Sequence, residues 1–266
     1  FLPISSSGHL ALFQTFFGME NMEEKYMFFT VLLHFGTLIS VCMVYWRDIV
    51  DMIREFFLGI AALAGRKDTG VAPPPARRMV MLIIIATVPL FVMVFLQDAV
   101  NQLFSNSIMV SCALLATGFI LFFSDRMARG HKTAKNATVA DALIVGCGQA
   151  LAVIPGLSRS GTTISVGMMR GFDRAFAVRF SFLMSLPAVL GANVLEIKDA
   201  LASNFPIEEL PMYLVGVAVS AVVGYFAIRL VKSLSDKGKF GKFAYYCWAV
   251  GLGSLVAGIV KMMLLK

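Results

Sequence analysis

The sequence predicts an all-α integral membrane protein, and three observations support this fold class. The chain is 58% hydrophobic, with a mean hydropathy of +0.80, whereas a soluble domain is about 45–50% apolar. Its apolar residues are gathered into stretches of the length that crosses a bilayer as a helix, about 17–25 residues. Its basic residues are concentrated in alternate connections between those stretches, as the positive-inside rule requires.

We predict six membrane-spanning helices, at about 26–46, 79–97, 108–124, 176–195, 211–231 and 243–265. Two further apolar stretches, 1–17 and 139–170, are interrupted by Pro, Gly and Ser and do not fit simple spans. The four cysteines lie in apolar segments without metal-ligand spacing. We therefore interpret the cysteines as small buried hydrophobic residues.

The charged residues predict the topology. The basic residues fall mainly in four regions, at 47–78, 125–138, 170–179 and 232–242, whereas the other connections are acidic. If basic connections are cytoplasmic, the spans alternate in direction without conflict, and segment 139–170 must enter from the inside and turn back. The net charge of +7 is thus explained by topology, and the sequence predicts no nucleic-acid partner.

Two short motifs form an internal repeat. The opening "FLPISSSGH" aligns with the later "PGLSRSGTT" at a shift of 153 positions, which pairs Ser5 with Ser158, Ser7 with Ser160 and Gly8 with Gly161. Each motif is followed by three spans, and an odd number of crossings inverts the second unit, as in many transport folds. We predict a single membrane domain, 1–266, made of a first repeat, 1–124, and an inverted second repeat, 139–266.

The symmetry predicts two re-entrant helical hairpins that enter from opposite faces and meet near the middle of the membrane. Irregular backbone at that depth is tolerated only where protein or a wet cavity surrounds it. The first arm of the second hairpin lies at about 139–154. Its counterpart in the first hairpin would precede Phe1, so we expect the first arm of the first hairpin to be missing from this chain.

Both motifs have the composition of a helix start, with Pro and small polar residues before an apolar run. The free N–H groups at such a start favour an anion, and the planar guanidinium of Arg159 suits phosphate. His9 can donate or accept a proton near neutral pH. The predicted anion-binding side chains are Ser5, Ser7, Ser158, Arg159, Ser160, Thr162 and Thr163.

Structural explanations compete with these assignments. Arg159 could form a structural ion pair, although a buried arginine in a membrane usually faces a cavity or a partner. His9 could be a hydrogen-bonded core histidine, and His34 could bond a neighbouring helix. The serines could simply allow close helix packing.

The two motifs resemble the signature segments of the undecaprenyl-pyrophosphate phosphatase family, the bacitracin-resistance type of integral membrane enzyme. The likeness extends to "HFGTL" (34–38), to "FSFLMSLPAVLGA" (180–192) and to the pattern of spans. It implies hydrolysis of undecaprenyl pyrophosphate to undecaprenyl phosphate and inorganic phosphate in the bacterial inner membrane. It thereby implies recycling of the lipid carrier for cell-wall synthesis, and resistance to bacitracin.

The resemblance also implies roles for particular residues. His9, Ser6, Ser158, Arg159 and Thr163 match the family's functional positions. Arg159, with the hydroxyls and helix starts, would bind the pyrophosphate and stabilise charge as the P–O bond breaks. His9 would attack phosphorus, activate the nucleophile or protonate the leaving group. Ser6 is an alternative nucleophile.

A divalent cation, Mg²⁺ or Ca²⁺, is the cofactor that the resemblance implies. The family's ligands are a Glu-x-x-x-Glu pair directly before Phe-Leu-Pro, so both acids would lie upstream of Phe1. In the second motif, Gln149 and Val153 occupy the symmetric places. The metal ligands within this chain are therefore unknown, and we expect a chain beginning at Phe1 to be inactive.

Two other classes of function remain open at this stage. Inverted repeats with broken helices are typical of transporters, so a transporter or flippase of polyprenyl phosphate is the main alternative. The combination of His, Arg and hydroxyls favours chemistry, because a carrier needs no group that titrates near pH 7. A purely structural role would not explain costly polar groups at mid-membrane. A homodimer is a further possibility.

Overall fold

A computed structural model of the chain describes residues 1–19, 27–65, 73–104, 106–202 and 209–264, and these ranges are almost entirely helical. A short 3₁₀ turn, Phe240–Lys242, precedes the last helix. Numbered in chain order, the α-helices are α1 (Ser6–Phe17), α2 (Met27–Val44), α3 (Trp46–Gly65), α4 (Pro75–Thr87), α5 (Leu90–Val94), α6 (Gln97–Phe104), α7 (Ser107–Met127), α8 (Val139–Leu151), α9 (Arg159–Met169), α10 (Arg174–Ala202), α11 (Leu210–Asp236) and α12 (Phe243–Leu264).

The helices confirm the predicted all-α, multi-pass membrane class. Five stretches have the length and composition to cross a membrane on their own: Pro75–Val94, Ser107–Met127, Arg174–Gly191, Leu210–Asp236 and Phe240–Leu264. The remaining predicted span, 26–46, corresponds to α2, which qualifies as a sixth candidate when it is counted together with α3. The acidic connections predicted at 18–25 and before 209 lie largely outside the described residues.

The second predicted span, 79–97, differs from its prediction in where it starts and in being divided into two helices. It starts at Pro75 rather than at residue 79, because proline is well tolerated in the first helical turn. It is divided into α4 and α5 near Pro89, since a proline inside a helix removes a backbone hydrogen bond.

The sequence predicts a basic connection over 47–78, and the first part of this connection is a helix that the sequence analysis did not predict. Residues 46–65 form α3, which is bent by 90° from α2. Five charged residues within 46–55 lower the hydropathy there. The helical spacing of the apolar residues among them is the signal for this amphipathic helix.

Two long helix pairs form much of the bundle, α7 with α12 and α2 with α11. In the first pair, a Cβ at Gly118 would lie 2.5 Å from the ring of Trp248, and a Cβ at Gly251 would lie 2.9 Å from Leu115. These two contacts are reciprocal, because Gly118 and Leu115 precede Gly251 and Trp248 by the same number of residues. Glycine is required at both places for the helices to approach so closely.

The four basic regions lie at one end of the bundle, where direct contacts connect them. This arrangement agrees with the topology predicted from charge. The contacts are Arg179 with Asp48, Arg78 Nη2 with Ala137 O (2.8 Å), Lys132 N with Gly171 O (2.9 Å), Arg174 Nη2 with Asp125 O (2.7 Å) and Gly241 N with Asp125 Oδ2 (2.9 Å).

The prediction that all four cysteines are buried is wrong for two of them. Cys247 is buried and Cys42 is half-buried, whereas Cys112 and Cys147 are exposed on α7 and α8. Large apolar side chains are exposed along the same helices. A bilayer accepts a small thiol as readily as a protein core does, so hydropathy alone does not distinguish the two environments.

Candidate active site

The second motif lies at the turn of a helical hairpin. Helices α8 and α9 pack against each other, and the predicted interruption of 139–170 falls between them. Gly156 in this turn has φ of 96°, a left-handed conformation that favours glycine. A Cβ there would also clash with the carbonyl oxygen of Val110 on α7. The turn therefore depends on a glycine packed tightly against a spanning helix.

The two motifs cap their helices in the same way. Ser158 Oγ accepts the N–H of Gly161 at 3.1 Å and lies 3.5 Å from Ser160 Oγ. Ser5 Oγ accepts the N–H of Gly8 at 3.2 Å and lies 3.5 Å from Ser7 Oγ. A serine cap satisfies one of the free N–H groups of the first turn and leaves others available for a ligand. The predicted helix starts are thus present at both motifs.

The structure brings the two helix starts into contact. A Cβ at Gly8 would lie 2.8 Å from Gly156 Cα, and a Cβ at Gly161 would lie 3.3 Å from Pro3 Cβ. These contacts are again reciprocal, since Pro3 and Gly156 are related by the same shift as Gly8 and Gly161. The N-terminal ends of α1 and α9, far apart in sequence, therefore form one site.

Arg159 and Ser6 are the first residues of α9 and α1, and both are exposed. Neither side chain makes a hydrogen bond or an ion pair within the part of the chain that the structure describes. Arg159 therefore has no acidic partner among those residues that would make it part of a structural ion pair. An uncompensated guanidinium next to two helix starts is suited to binding an anion.

His9 has both ring nitrogens within hydrogen-bonding distance of a partner. Nδ1 lies 2.8 Å from the carbonyl oxygen of Ser5, and Nε2 lies 3.0 Å from the hydroxyl of Tyr246 on α12. A carbonyl only accepts, so Nδ1 carries the proton and the neutral ring has its lone pair on Nε2. Ser5 adopts φ of 62°, an uncommon left-handed conformation for serine.

Two of the predicted anion-binding hydroxyls are already engaged. Ser160 Oγ donates to the carbonyl oxygen of Phe1 at 3.0 Å, which connects the two motifs. Thr163 Oγ1 donates to the carbonyl oxygen of Arg159 at 2.8 Å and contacts Ser181 Oγ. These contacts favour a supporting role for both hydroxyls, with Thr163 holding the first turn of α9 beneath Arg159.

Two other polar side chains of the hairpin are buried without a partner. The hydroxyl of Thr162 and both polar atoms of Gln149 make no hydrogen bond within the described residues. Burying such groups unpaired is costly. Thr162 therefore remains available for a ligand or an ordered water, and its role in binding an anion stays a prediction.

Sequence reasoning missed two residues that shape the site. Tyr246 stacks on His9 with ring centroids 5.6 Å apart. Thr117 Oγ1, on α7, donates to Gly156 O at 2.9 Å and accepts from Ser158 N at 3.2 Å. Neither residue lies in a local motif. Only the packing of α7 and α12 against the helix starts reveals them.

The described residues do not form a Mg²⁺ or Ca²⁺ centre. Within them, no group of three or more His, Cys, Asp or Glu side chains could hold a metal ion. Mg²⁺ and Ca²⁺ prefer several oxygen ligands, usually carboxylates. The side chains described around the two helix starts are instead hydroxyls, an imidazole and a guanidinium, and a guanidinium repels a cation.

Comparison with known proteins shows the family of the chain. A 41% identical relative from Alkaliphilus metalliredigens (strain QYMF) aligns over 94% of this chain and 90% of its own length. Relatives from Methanosphaera stadtmanae and Halothermothrix orenii are 38% and 39% identical, over 98% and 97% of this chain and 93% of their own lengths. All three are named undecaprenyl-diphosphatase. The family model described as bacitracin resistance protein BacA matches residues 1–253, and the chain therefore belongs to the BacA family.

Proposed function

We propose that this protein is a multi-pass membrane phosphatase that hydrolyses undecaprenyl diphosphate to undecaprenyl phosphate and inorganic phosphate. The observation that carries the proposal is the contact between two serine-capped helix starts. One bears Arg159, which has no ion-pair partner among the described residues, and the other bears His9. The choice of undecaprenyl diphosphate as the substrate rests on the relatives that are named undecaprenyl-diphosphatase. They offer no support for a transporter.

Arg159 and the free N–H groups of α1 and α9 would bind the diphosphate. Two helix starts in contact direct their partial positive charges at one place. The guanidinium adds a full charge and a bidentate hydrogen bond. Charge on the phosphate oxygens grows as the P–O bond breaks, so these groups would stabilise the transition state. Ser5, Ser7, Ser158 and Thr162 would complete the binding site.

His9 would provide the reactive nitrogen. In the hydrolysis, an oxygen of water bonds to the terminal phosphorus and the anhydride P–O bond breaks, releasing undecaprenyl phosphate. The lone pair on Nε2 could take the proton of the attacking water, or of Ser6 Oγ, or could itself attack phosphorus in a two-step route. Acid-labile phosphohistidine would distinguish direct attack by His9 from attack by Ser6, which would leave acid-stable phosphoserine.

The inverted repeat is part of the proposal. Its support is that equivalent contacts occur twice, once from each half of the chain. They are the two serine caps, the Gly8–Gly156 and Gly161–Pro3 contacts, and the two glycine contacts between α7 and α12. Such reciprocity is expected when two copies of one unit meet around a pseudo-twofold axis. The repeats would be 1–124 and 139–266 of a single membrane domain, and the two helix starts would be parts of re-entrant hairpins.

Other features implied by the family stay predictions. They are a location in a bacterial inner membrane, a role in recycling the cell-wall lipid carrier with resistance to bacitracin, a homodimer, and a requirement for Mg²⁺ or Ca²⁺. Chelation followed by re-addition of either cation tests the metal requirement, and no step above depends on it.

The test of the proposed function uses the full natural protein, purified in detergent. Incubation with undecaprenyl diphosphate should release inorganic phosphate and leave undecaprenyl phosphate. A flippase needs two separate compartments, so turnover without compartments supports the phosphatase. Failure to release phosphate, by protein that still unfolds cooperatively, would refute the proposal.

A further inference from the structure

Helix α3 turns the side that carries Asp48 and Glu55 toward the protein. Asp48 pairs with Arg179 near the start of α10, and Glu55 pairs with Arg77 in the first turn of α4 at 3.0 Å. These contacts attach α3 to the end of the bundle where the basic regions gather. An amphipathic helix of a soluble protein has the opposite orientation, with apolar residues inward.

The outward side of α3 is a stripe of large exposed apolar residues. Trp46 and Phe57 are 63% and 64% exposed, and Ile53 is 53% exposed. Their spacing of three and four residues places them on one face. The members of this apolar stripe are Trp46, Val50, Ile53, Phe57 and Ile60.

A narrow charged flank separates the apolar stripe from the side that contacts the protein. Arg47 and Arg54 on this flank are exposed, and the exposed Asp51 lies between them, so the flank keeps a net charge of about +1. Neither arginine makes a hydrogen bond or ion pair within the described residues. Helix α3 therefore has three sectors. One contacts protein, one presents apolar surface, and one carries exposed charges with an excess of arginine.

We propose that α3 lies in the headgroup layer of the bilayer, with its apolar stripe in the outer hydrocarbon and Arg47 and Arg54 against anionic lipid headgroups. Helix α2 belongs to a candidate span, and the 90° bend turns α3 into the membrane plane. Its position among the basic regions places α3 on the cytoplasmic side. A helix with these sectors matches an interfacial anchor, and anionic lipids attract exposed arginines there.

The two tryptophans of the chain, Trp46 and Trp248, allow a direct test. The Trp248→Phe variant leaves Trp46 as the sole fluorescent reporter. The Trp46→Phe variant is the matched control, because Trp248 is half-buried on α12 against Phe119 and Phe122 of α7. Each variant is reconstituted into phosphatidylcholine–phosphatidylglycerol vesicles with bromine atoms either near the headgroup end or near the terminal methyl of the acyl chains.

We expect shallow bromines to quench Trp46 at least about twofold more than deep ones, since interfacial helices lie only about 5–10 Å into the boundary. Trp248, which is half-buried, should be quenched less than Trp46 by the shallow bromines. Quenching of Trp46 by aqueous iodide and not by bromines would overturn the proposal in favour of a water-exposed helix. Resistance to both quenchers would overturn it in favour of a protein partner, such as a second copy of this chain.

A second comparison tests the charged flank. Brominated phosphatidylglycerol should quench Trp46 more strongly than equally brominated phosphatidylcholine. Arg47→Gln combined with Arg54→Gln should abolish this difference, while quenching by shallow bromines remains. Equal quenching by the two lipids in the protein with both arginines would overturn the assignment of anionic headgroups.

Discussion

The hydroxyl of Tyr246 lies 3.0 Å from Nε2 of His9, and the two rings stack at an angle of 12°. Ser5 accepts from the other ring nitrogen, so the imidazole is held at both ends. Tyr246 can donate its proton to the Nε2 lone pair in the resting site, and this hydrogen bond breaks when Nε2 takes a proton or attacks phosphorus. It is therefore placed to orient the nitrogen that the proposed chemistry uses, from a helix more than two hundred residues away in sequence.

We expect Tyr246→Phe to lower kcat with little change in KM. The variant keeps the stacked ring and loses one hydrogen bond, worth about 1 kcal/mol or roughly fivefold in rate. Tyr246→Ala, which also removes the ring, should lower kcat further. Tyr245→Phe is the matched control, because Tyr245 packs against Phe122 and Trp248. A normal kcat and an unchanged pH–rate profile in Tyr246→Phe would limit Tyr246 to packing.

Replacing Arg159 tests the proposed phosphate clamp. Arg159→Ala should abolish measurable turnover, a loss on the order of 100-fold or more. Arg159→Lys should lose most of it, because an ammonium keeps the charge but not the bidentate geometry. The exposed Arg129 provides a control, and Arg129→Lys should behave normally. Phosphate release from undecaprenyl diphosphate measures all three, and near-normal activity of Arg159→Ala would remove its central role.

Replacing His9 tests the proposed reactive group. His9→Ala should lower kcat on the order of 100-fold or more, as expected when a general acid–base is removed. The folded state should persist, because the ring is only half-buried. Thermal unfolding in detergent checks this. Retained activity would show that His9 is a hydrogen-bonded core histidine with no role in the reaction.

Close contact between the two helix starts makes Gly8 sensitive to substitution. The Cβ of Gly8→Ala would lie 2.8 Å from Gly156 Cα, and backbone cannot move aside as a flexible side chain can. We expect a loss of stability of about 1–3 kcal/mol, seen as a lower unfolding temperature, together with reduced turnover. Gly191→Ala is the control, since nothing lies within 4 Å of its Cβ position. Equal unfolding temperatures for the two variants would contradict the contact.

The sequence alone predicts the helix starts and most of the spans, because these depend on local signals. Ser5 and Ser158 follow from small polar residues ahead of an apolar run, and the spans follow from hydropathy. Helix α3 is missed although its apolar residues recur at helical spacing, because the charged residues among them suggest a polar connection. The distant arginines that pair with Asp48 and Glu55 are not visible in a local window. Tyr246 is missed for a related reason: only tertiary packing brings α12 to His9.

Asp141 contributes a different kind of stability, at the end of the hairpin where the basic regions gather. Its carboxylate is fully buried, and it accepts from Lys132 Nζ at 2.8 Å, from Arg170 Nη2 at 2.9 Å and from Thr138 N at 3.0 Å. Burial alone would raise the pKa of Asp141, but the hydrogen bonds from Lys132, Thr138 and Arg170 outweigh it and hold the pKa well below its usual range.

The depressed pKa of Asp141 fixes the sign of a pH effect. A carboxyl whose pKa is lower in the folded state stabilises that state above its unfolded pKa, about 4, and loses the contribution as pH falls further. Asp141→Asn should therefore lower the free energy of unfolding at neutral pH by about 3 kcal/mol. This loss would be seen as a lower unfolding temperature. It should also flatten the decline below about pH 4. Asp51→Asn, at an exposed position on α3, should do neither. If Asp141→Asn loses stability below about pH 4 as steeply as the natural protein does, other carboxyl groups cause that loss.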